Sequence, residues 1–401
     1  MRAWQPRGVR IAQLANFIGP ASGGMKTAVQ ALGEGYVAAG ATRLLVIPGP
    51  YDARTSTPLG DVVQVRAPKV GGGYRLIVEP WRVIDVLESF GPTSVEVNDK
   101  TTLLPVTRWA RRNGVGSVLF SHERLDDMLG RRTGHETTAK VSIKLLNRIL
   151  VRNFDAIVVT SAFAHREFRI PAATVGCPVL RVPLGVDLET FQPGFETPRS
   201  SAPQPACEPL VEERAQRASR NQPLRLVHFG RLSREKSPHL AVATAVELHR
   251  RGVPVTLDVY GEGPHLDELV EIAGSAPVTF HGHVAGRAEL ARRIAVADIA
   301  LSVCPGETFG LAVLEALASG TPVVTASVGG ASELIDAESG AWGDPDPHSL
   351  ADAVLELAAR DEASTRAAAR RRAEQFPWSS TIEKMIDIHA ALAGSDVVAS
   401  A

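Results

Sequence analysis

Two glutamates, eight residues apart, lie in the segment Glu307-Thr-Phe-Gly-Leu-Ala-Val-Leu-Glu315, which follows an apolar strand-like run and begins a helix. Eight helical residues span about 12 Å, roughly the distance between the two sugars of a nucleoside diphosphate sugar. At the start of this helix, the backbone N–H groups of Phe309, Gly310 and Leu311 would face an anionic diphosphate. Glu315 lies in an apolar helix and should have a partner. Ribose hydroxyls, an arginine salt bridge and an exposed helix face are the alternatives.

Cations follow the predicted strand that starts at Leu224, in the run Gly230-Arg231-Leu-Ser-Arg-Glu-Lys236. Doubly wound sheets bind ligands at the carboxyl ends of their strands, which is where this run begins. Arg231 can bind phosphate through two parallel hydrogen bonds, and Lys236 can act as a point charge. Cations in loops are usually only solvated, so this run alone is a weak indication of a phosphate site.

A glycine-rich turn, Gly19-Pro-Ala-Ser-Gly23-Gly24-Met-Lys26-Thr, joins the first predicted strand to a helix. It resembles a Walker A loop, but one extra residue, Met25, separates Gly24 from Lys26. The extra residue turns the lysine by about 100° on the following helix, so the turn should not hold the phosphates of ATP. We therefore exclude an ATPase. We expect Gly23 and Gly24 to let a donor or acceptor approach the backbone, and the alternative is a plain tight turn.

The best candidate for an active-site histidine is His122, which closely follows a predicted strand at 117–120. Its position at a sheet edge favours a role in a cleft, although a lone histidine more often satisfies local hydrogen bonds. No Gly-x-Ser-x-Gly motif is present in the sequence, which argues against serine hydrolase chemistry.

Two short patterns resemble metal ligands. Asp346, in Asp344-Pro-Asp346, precedes Pro347 and is better explained as the N-cap of a helix that has proline at its first position. The pair His281-Gly-His283 has no Cys or carboxylate partner at metal spacing. We therefore expect no bound metal.

Short β-branched runs alternate with helix-like segments along the chain, which is typical of parallel α/β sheets. A chain of 401 residues, 44% of them hydrophobic, is long enough to bury two cores. We predict a first domain at 1–187, a linker or insertion at 188–222, a second domain at 223–377, and a C-terminal helix within 378–401 that packs on the first domain. The predicted strands are 9–14, 43–47, 117–120, 156–160, 224–228, 255–260, 278–280, 299–303 and 322–325.

Composition limits the location of the protein. No run of about 20 apolar residues is present, so we expect no segment to span a membrane. The cysteines, Cys177, Cys207 and Cys304, are widely spaced, which suits a reducing compartment and excludes a disulfide framework. The first residues lack a hydrophobic signal core. We therefore expect a cytoplasmic protein, and we expect no nucleic-acid partner.

Positive charge is concentrated in the first half of the chain. Residues 1–187 carry 24 Lys and Arg against 15 Asp and Glu, a net charge of +9, whereas the remainder has a net charge of −10. This asymmetry favours an anionic surface or substrate for the first domain, with a merely solvated surface as the alternative. Two groups could contact an anionic membrane: a helical stripe of Lys140, Lys144, Arg148 and Arg152 beside Val141, Leu145 and Ile149, and the residues Tyr74, Arg75, Trp81 and Arg82 near the glycine loop 71–73.

The order of these motifs resembles that of glycosyltransferase family 4. The matching motifs are Ser22-Gly23-Gly24, Pro183-Leu-Gly-Val-Asp187, Gly230-Arg231 with Glu235-Lys236, Tyr260-Gly261-Glu-Gly-Pro264, and the segment from Glu307 to Glu315. Their joint order is far more specific than any single motif, and the resemblance covers most of the chain except the linker. It implies the GT-B fold, an α/β architecture of two Rossmann-like parallel-sheet domains that face each other across a cleft.

The resemblance implies a retaining, metal-independent glycosyl transfer from a nucleoside diphosphate sugar, with no cofactor beyond that substrate. Arg231 and Lys236 would neutralise the departing diphosphate. Glu307 would bind hydroxyls of the donor sugar, and Glu315 would hold the ribose. His122 would support the reacting sugar rather than act as a nucleophile, so that catalysis rests on electrostatics and positioning. The residues implied in donor binding are Gly23, Gly24, Gly230, Arg231, Lys236, Gly261, Val284, Phe309, Gly310, Leu311 and Glu315.

Within the family, the segment 15–24, the run Ser121-His122-Glu-Arg-Leu-Asp126 and the Gly-Arg-Leu-Ser run are most similar to actinobacterial mannosyltransferases. This similarity implies GDP-mannose as donor and an anionic glycolipid, such as a phosphatidylinositol mannoside, as acceptor at the inner face of the plasma membrane. Val284-Ala285-Gly286 departs from the pattern, because it lacks the acidic residue that often follows this loop in GDP-mannose users. The alternatives are a UDP-sugar donor with a soluble or other lipid acceptor, and a sugar-nucleotide epimerase with GT-B architecture.

Overall fold

The computed structural model describes residues 8–16, 18, 23–70, 74–100, 102–122, 136–194 and 223–394; for 136–142 it describes the backbone alone. The chain forms two compact units. One comprises Met1–Leu184 with Trp378–Ala401, and the other comprises Gly185–Pro377. No helix among the described residues is long and apolar enough to cross a membrane.

The first unit is built around one large sheet. Its strands are β1 (Arg10–Leu14), β2 (Thr42–Gly49), β3 (Ala53–Thr57), β4 (Gly60–Arg66), β5 (Lys69–Val70), β6 (Tyr74–Arg75), β7 (Ser94–Val97), β8 (Gly116–Ser121), β9 (Ala156–Val159) and β10 (Val179–Arg181). Eight of them pair in the order β10-β9-β8-β7-β1-β2-β4-β3, and only the edge strand β3 is antiparallel to its neighbour. Strands β5 and β6 form a separate ribbon. The helices are α1 (Gly24–Ala38), α2 (Pro80–Phe90), α3 (Leu104–Arg112), α4 (Glu136–Asn153) and α5 (Ala162–Val175).

The central strands β7, β8 and β9 are buried along their whole length, as expected for parallel strands that are covered on both faces. Strand β7 nevertheless carries a charged residue, Glu96. Strands β1 and β7 are neighbours although β2 follows β1 in the sequence, so the strand order reverses between them. Such a reversal places the loops after the two strands where doubly wound sheets bind ligands.

The second unit contains a six-stranded sheet. Its strands are β11 (Leu224–Phe229), β12 (Val255–Tyr260), β13 (Val278–Gly282), β14 (Ile299–Ser302), β15 (Val323–Ala326) and β16 (Gly340–Gly343). They pair in the order β13-β12-β11-β14-β15-β16, all parallel, so the order reverses between β11 and β14. The helices are α6 (Pro238–Arg250), α7 (Leu266–Ala273), α8 (Arg287–Ala295), α9 (Leu311–Ala318), α10 (Pro347–Ala358) and α11 (Glu362–Ala373).

The last helix, α12 (Trp378–Gly394), packs against α1, β7 and β8 of the first unit. A Cβ at Gly35 would lie 2.3 Å from Ile382 Cδ1, and a Cβ at Gly116 would lie 2.6 Å from Leu392 Cβ. Glycines are therefore needed where this helix meets the rest of the unit.

The boundary between the units lies slightly before the predicted one. We expected the first domain to extend to residue 187 and a linker to follow, whereas the second unit begins at Gly185. The N–H of Val186 donates to the carbonyl of Phe376 (2.9 Å), and Phe191 is fully buried. Through these contacts the start of the predicted linker packs on the second unit. The prediction missed this because it depended on the polar composition of the segment, which does not indicate such contacts. Residues 195–222 lie outside the described part of the chain.

Candidate active site

Two strand-end loops of the second unit lie against each other. The N–H of Gly230 donates to the carbonyl of Tyr260 (2.9 Å), and the N–H of Leu232 donates to the carbonyl of Glu262 (3.0 Å). A Cβ at Gly261 would lie 1.9 Å from the carbonyl oxygen of Gly230. Gly261, which we predicted to bind the donor, therefore has a structural reason to be glycine, namely the close approach of two backbones.

The predicted phosphate-binding lysine and the predicted sugar-binding glutamate contact each other. Lys236 Nζ lies 2.7 Å from Glu307 Oε2, although the two residues are 71 positions apart in the sequence. Lys236 follows β11 and Glu307 follows β14, so the carboxyl ends of neighbouring strands bring them together. The lysine side chain is 45% exposed, hence the ion pair should add little stability. A phosphate could therefore replace the glutamate at small cost.

Arg231 lies in the same loop as Lys236, and its guanidinium is 3.7 Å from the carboxylate of Glu235. Cys304, which follows β14, donates through Sγ to the carbonyl of Glu235 (3.1 Å). Burial raises the pKa of Cys304, so its side chain remains a thiol and a donor at neutral pH. The end of β14 thus fixes the position of the loop that carries both predicted phosphate-binding cations.

The start of α9 requires glycine. Gly310 has a φ of +105°, and a Cβ there would lie 3.2 Å from the Cβ of Ala331. The side chain of Phe309 is buried, and that of Leu311 is half-buried. Contact of Phe309 with a ligand must therefore come from its backbone, which is the contact that the sequence predicts.

Glu315 of α9 is bonded by an arginine that the sequence analysis did not single out. Arg287 Nη2 donates to Glu315 Oε1 (3.1 Å), and the glutamate side chain is only 12% exposed. Burial raises the pKa of Glu315 to about 7; Arg287 opposes this effect, and the carboxylate of Asp187 adds to it. The guanidinium also lies 4.9 Å from the ring centroid of Phe191. The salt bridge that we weighed against ribose binding is thus present.

Arg287 is the first residue of α8, and it follows Gly286, whose φ is +95°. This loop also contains Val284, a predicted donor-binding residue, which is half-buried. A cation at the first helical position after a glycine, in a loop already singled out, is the one sequence signal that could have identified Arg287.

In the first unit, His122 lies at the carboxyl end of β8 and is half-buried. Its Nε2 is 2.5 Å from Oδ1 of Asn98, which follows the neighbouring strand β7. The imidazole also packs against Phe120, with 4.4 Å between the ring centroids. Burial lowers the pKa of His122 to about 4; Glu96 opposes the shift and Lys100 adds to it. His122 is therefore neutral at physiological pH, and Asn98 is a partner that the sequence analysis missed.

Gly23 and Gly24 lie at the start of α1, and both are exposed. Gly23 has a φ of −92°, and a Cβ there would meet no atom of the described residues within 4 Å. Packing against the described residues therefore does not require glycine at position 23, which leaves space for a ligand beside the backbone. Residues 19–22 of the predicted turn lie outside the described residues.

Residues of the two metal-like patterns make hydrogen bonds within the protein. Asp346 is the N-cap of α10, as predicted, because its carboxylate accepts from the N–H of His348 (3.0 Å) and Pro347 begins the helix. His281 Nε2 lies 2.7 Å from Asp258 Oδ1. In the part of the chain that the structure describes, no group of three or more His, Cys, Asp and Glu side chains could hold a metal ion.

The basic stripe of the first unit lies on the surface of α4. Lys144, Arg148 and Arg152 are exposed, and Leu145 and Ile149 beside them are 58% and 39% exposed. The side chains at 140 and 141 are outside the described set. In the second basic group, Trp81 is 57% exposed, whereas Tyr74, Arg75 and Arg82 are half-buried, and the loop 71–73 is not among the described residues.

Comparison with known proteins identifies the family. A model described as Glycosyl transferase 4-like domain matches residues 23–170, and one described as Glycosyl transferases group 1 matches residues 223–360. A Mycobacterium tuberculosis protein named GDP-mannose-dependent alpha-(1-6)-phosphatidylinositol dimannoside mannosyltransferase is 39% identical over 392 residues, which are 96% of this chain and 97% of that protein. The chain belongs to glycosyltransferase family 4. This family-4 enzyme is a hexosyltransferase, and the resemblance drawn from the motifs is confirmed.

The fold of this chain is also similar to that of solved structures. Sucrose-phosphate synthase from Thermosynechococcus elongatus has a TM-score of 0.76 and 21% identity, over 96% of this chain and 100% of that one. Anabaena HepE in complex with UDP and glucose has a TM-score of 0.70 and 16% identity, over 96% and 100% of the respective chains. At these identities the likeness shows the fold alone, and it confirms the predicted GT-B class.

Proposed function

We propose that this family-4 enzyme transfers mannose from GDP-mannose to a hydroxyl of a phosphatidylinositol mannoside, with retention at the anomeric carbon and without a metal ion. The observation that carries the proposal is the 39% identity to the mycobacterial mannosyltransferase, because it extends over 96% of the chain and so includes both units.

The second unit supplies the donor site in this proposal. Glu315 accepts hydrogen bonds from the ribose hydroxyls, and the residues Phe309 to Leu311 donate backbone N–H groups to the diphosphate. Support comes from position, because these groups follow β14, beside the reversal of strand order where such sheets bind ligands. Arg287 bonds Oε1 of Glu315, and burial raises the pKa of this carboxyl, a perturbation that is common at functional sites.

The cations of the second unit stabilise the leaving group. Transfer breaks the bond between the anomeric carbon and a phosphate oxygen, so negative charge develops on the departing GDP. Arg231 and Lys236 offset this charge in place of a metal ion, and removal of one such group typically costs about 10²- to 10³-fold in kcat. When phosphate replaces Glu307 as the partner of Lys236, the glutamate is released to accept hydrogen bonds from mannose hydroxyls.

The first unit supplies the groups that orient the reacting sugar. Gly23 and Gly24 allow the diphosphate to approach the backbone, which the exposure of both residues supports. His122 accepts a hydrogen bond from a sugar hydroxyl. A neutral imidazole can accept such a bond and an imidazolium cannot, so the low pKa of His122 suits this role.

The acceptor is an anionic lipid at the cytoplasmic face of the plasma membrane. The net charge of +9 on residues 1–187 favours an anionic partner. On α4, exposed aliphatic side chains stand among exposed cations, which is typical of helices that lie on a membrane surface.

The test is a matrix of donors and acceptors with the purified chain. GDP-mannose, GDP-glucose, UDP-glucose and UDP-galactose are each incubated with phosphatidylinositol dimannoside, with phosphatidylinositol, or without lipid, and the products are identified by mass spectrometry. We expect hexose transfer from GDP-mannose to the mannosylated lipid. Transfer from a UDP-sugar would overturn the donor assignment, an isomerised donor without lipid product would identify an epimerase, and no turnover or binding of any donor would refute glycosyl transfer.

A further inference from the structure

A fully buried carboxylate lies in the middle of the first unit. Glu96 of β7 is 0% exposed, and its oxygens accept hydrogen bonds from Tyr36 Oη (2.6 Å), Gln13 Nε2 (3.0 Å) and His389 Nε2 (3.3 Å). Burial alone would raise the pKa of Glu96, but the hydrogen bonds and the nearby His389 lower it to about 2. A buried ion is costly unless it is fully paired, so this network is a specific arrangement rather than incidental packing.

The network reaches the C-terminal helix. His389 of α12 is fully buried; its Nδ1 lies 2.9 Å from Ser94 Oγ, and its ring packs edge-on against Tyr36 with 5.3 Å between centroids. An ionised carboxylate only accepts hydrogen bonds, so His389 Nε2 must donate to Glu96, while Nδ1 is hydrogen-bonded to Ser94 Oγ. The orientation of this histidine is thereby fixed.

The network also reaches the strand-end loop that carries His122. Asn98 is buried, and its Nδ2 lies 3.3 Å from Glu96 Oε1 and 3.3 Å from the carbonyl of Leu14. Both of these partners are acceptors, so the amide nitrogen must face them and Oδ1 must face His122. The 2.5 Å contact then requires that His122 Nε2 carries the hydrogen. The Nδ1 of His122 is left as the acceptor.

We propose that Asn98 is a positioning residue for His122, and that Glu96 and His389 hold Asn98 in the orientation that selects this tautomer. The inference rests on the proposed function, because it gives the sugar-binding role of His122 a specific atom, Nδ1. The last helix of the chain thus acts on the site through His389, although it is remote in sequence from the strand-end loops.

An amide is the right partner for a histidine that must stay neutral. The charged groups that act on His122 in the described part of the chain are Glu96, which already has its partners, and Lys100, which is paired with Glu167 (3.0 Å). A carboxylate at position 98 would instead accept from Nε2 and stabilise the imidazolium. Asn98→Asp therefore separates positioning from mere packing, since the two side chains have nearly the same shape.

The first test is the pH profile of steady-state mannosyl transfer. Titration of His122 leaves kcat unchanged between pH 5.5 and 8 in the wild type, because its pKa of about 4 lies below that range. In Asn98→Asp the pKa should rise towards neutrality, so kcat should fall as the pH decreases, by on the order of tenfold at one pH unit below the new pKa. Asn98→Ala should lower kcat on the order of tenfold with a KM for the donor within twofold of wild type. Asn113→Asp, an exposed site at the end of α3, is the matched control and should behave as wild type.

The second test needs no turnover. The ¹⁵N chemical shifts of His122, assigned with a His122→Gln variant in histidine-labelled protein, report which ring nitrogen carries the hydrogen. We expect Nε2–H in the wild type and a mixture of tautomers in Asn98→Ala. The proposal is overturned if the hydrogen is on Nδ1 in the wild type, or if Asn98→Ala keeps the wild-type kcat and pH profile. A wild-type protein that shows the Nε2–H tautomer but transfers no sugar would refute the proposed function and leave the positioning geometry standing.

Discussion

Replacing Glu315 by glutamine should stabilise the ligand-free protein at alkaline pH. The pKa of this carboxyl is about 7 in the folded protein, because burial outweighs the attraction of Arg287, against an ordinary value of 4.5. Since the folded-state pKa is the higher one, ionisation destabilises the fold. The resulting decrease in the free energy of unfolding is absent below pH 4.5, grows as the pH rises to 7 and is complete above pH 7. At 1.36 kcal/mol per pKa unit, it amounts to about 3 kcal/mol, and glutamine avoids it.

The assay is thermal unfolding of the wild type and Glu315→Gln without nucleotide, at pH 5 and pH 8.5. We expect the variant to have the higher Tm at pH 8.5 and the difference to shrink towards pH 5. Glu356→Gln, at a position where the side chain is 66% exposed, is the control and should leave Tm unchanged at both pH values. A Glu315→Gln variant that is no more stable than the wild type at pH 8.5 would show that ionisation of this carboxyl does not destabilise the fold.

The same variant should lose donor affinity. At one pH unit below its pKa, only about a tenth of Glu315 is ionised, so wild-type affinity for GDP-mannose should drop on the order of tenfold from pH 8 to pH 6. GDP-mannose suits this measurement because its diphosphate diester does not titrate in that range. Calorimetry should show weaker, pH-independent binding by Glu315→Gln. Unchanged affinity would show that the ribose does not use this carboxylate.

The remaining predictions concern the two units separately. Lys236→Ala should lower kcat by about 10²- to 10³-fold, whereas Arg234→Ala, whose side chain is 70% exposed in the same turn, should stay within twofold of wild type; equal losses would contradict a specific role for the lysine. His122→Ala should lower kcat and leave the affinity for GDP, measured by calorimetry, unchanged. A loss of GDP binding in this variant would argue against the assignment of His122 to binding of the sugar. Dialysis against EDTA should not change the turnover, and activity restored only by Mg²⁺ or Mn²⁺ would contradict charge stabilisation by side chains alone. Asp346→Ala should lower the free energy of unfolding by about 1 kcal/mol in urea titrations, because α10 loses its N-cap; no change would show that the cap is replaced by solvent.

Most strands that line the candidate site were predictable from apolar runs, and β7 was not. Its four residues are all buried, but Glu96 interrupts the apolar pattern on which the prediction depends. The charge is tolerated because its partners come from positions 60, 83 and 293 residues away in the sequence. Local pattern cannot reveal such long-range pairing, and Asn98 was missed together with the strand that positions it.

Motif order located the residues of the second unit but not their contacts. Lys236 and Glu307 were assigned to different parts of one donor, and the structure joins them in an ion pair. The arginine alternative for Glu315 was foreseen, but its source, Arg287, lies on another helix. Gly261 was assigned to donor binding. The structure shows that it also lets the backbone of Gly230 approach closely, and this contact cannot be predicted from the spacing of residues in the sequence.

The most direct test of mannosyl transfer is the structure of the lipid product. Purified protein is incubated with GDP-mannose and phosphatidylinositol dimannoside, and the new glycosidic bond is assigned by NMR. We expect a lipid with one additional mannose in α-linkage, which retains the configuration of the donor. A β-linked product, or GDP-mannose consumed without any mannosylated lipid, would contradict retaining mannosyl transfer.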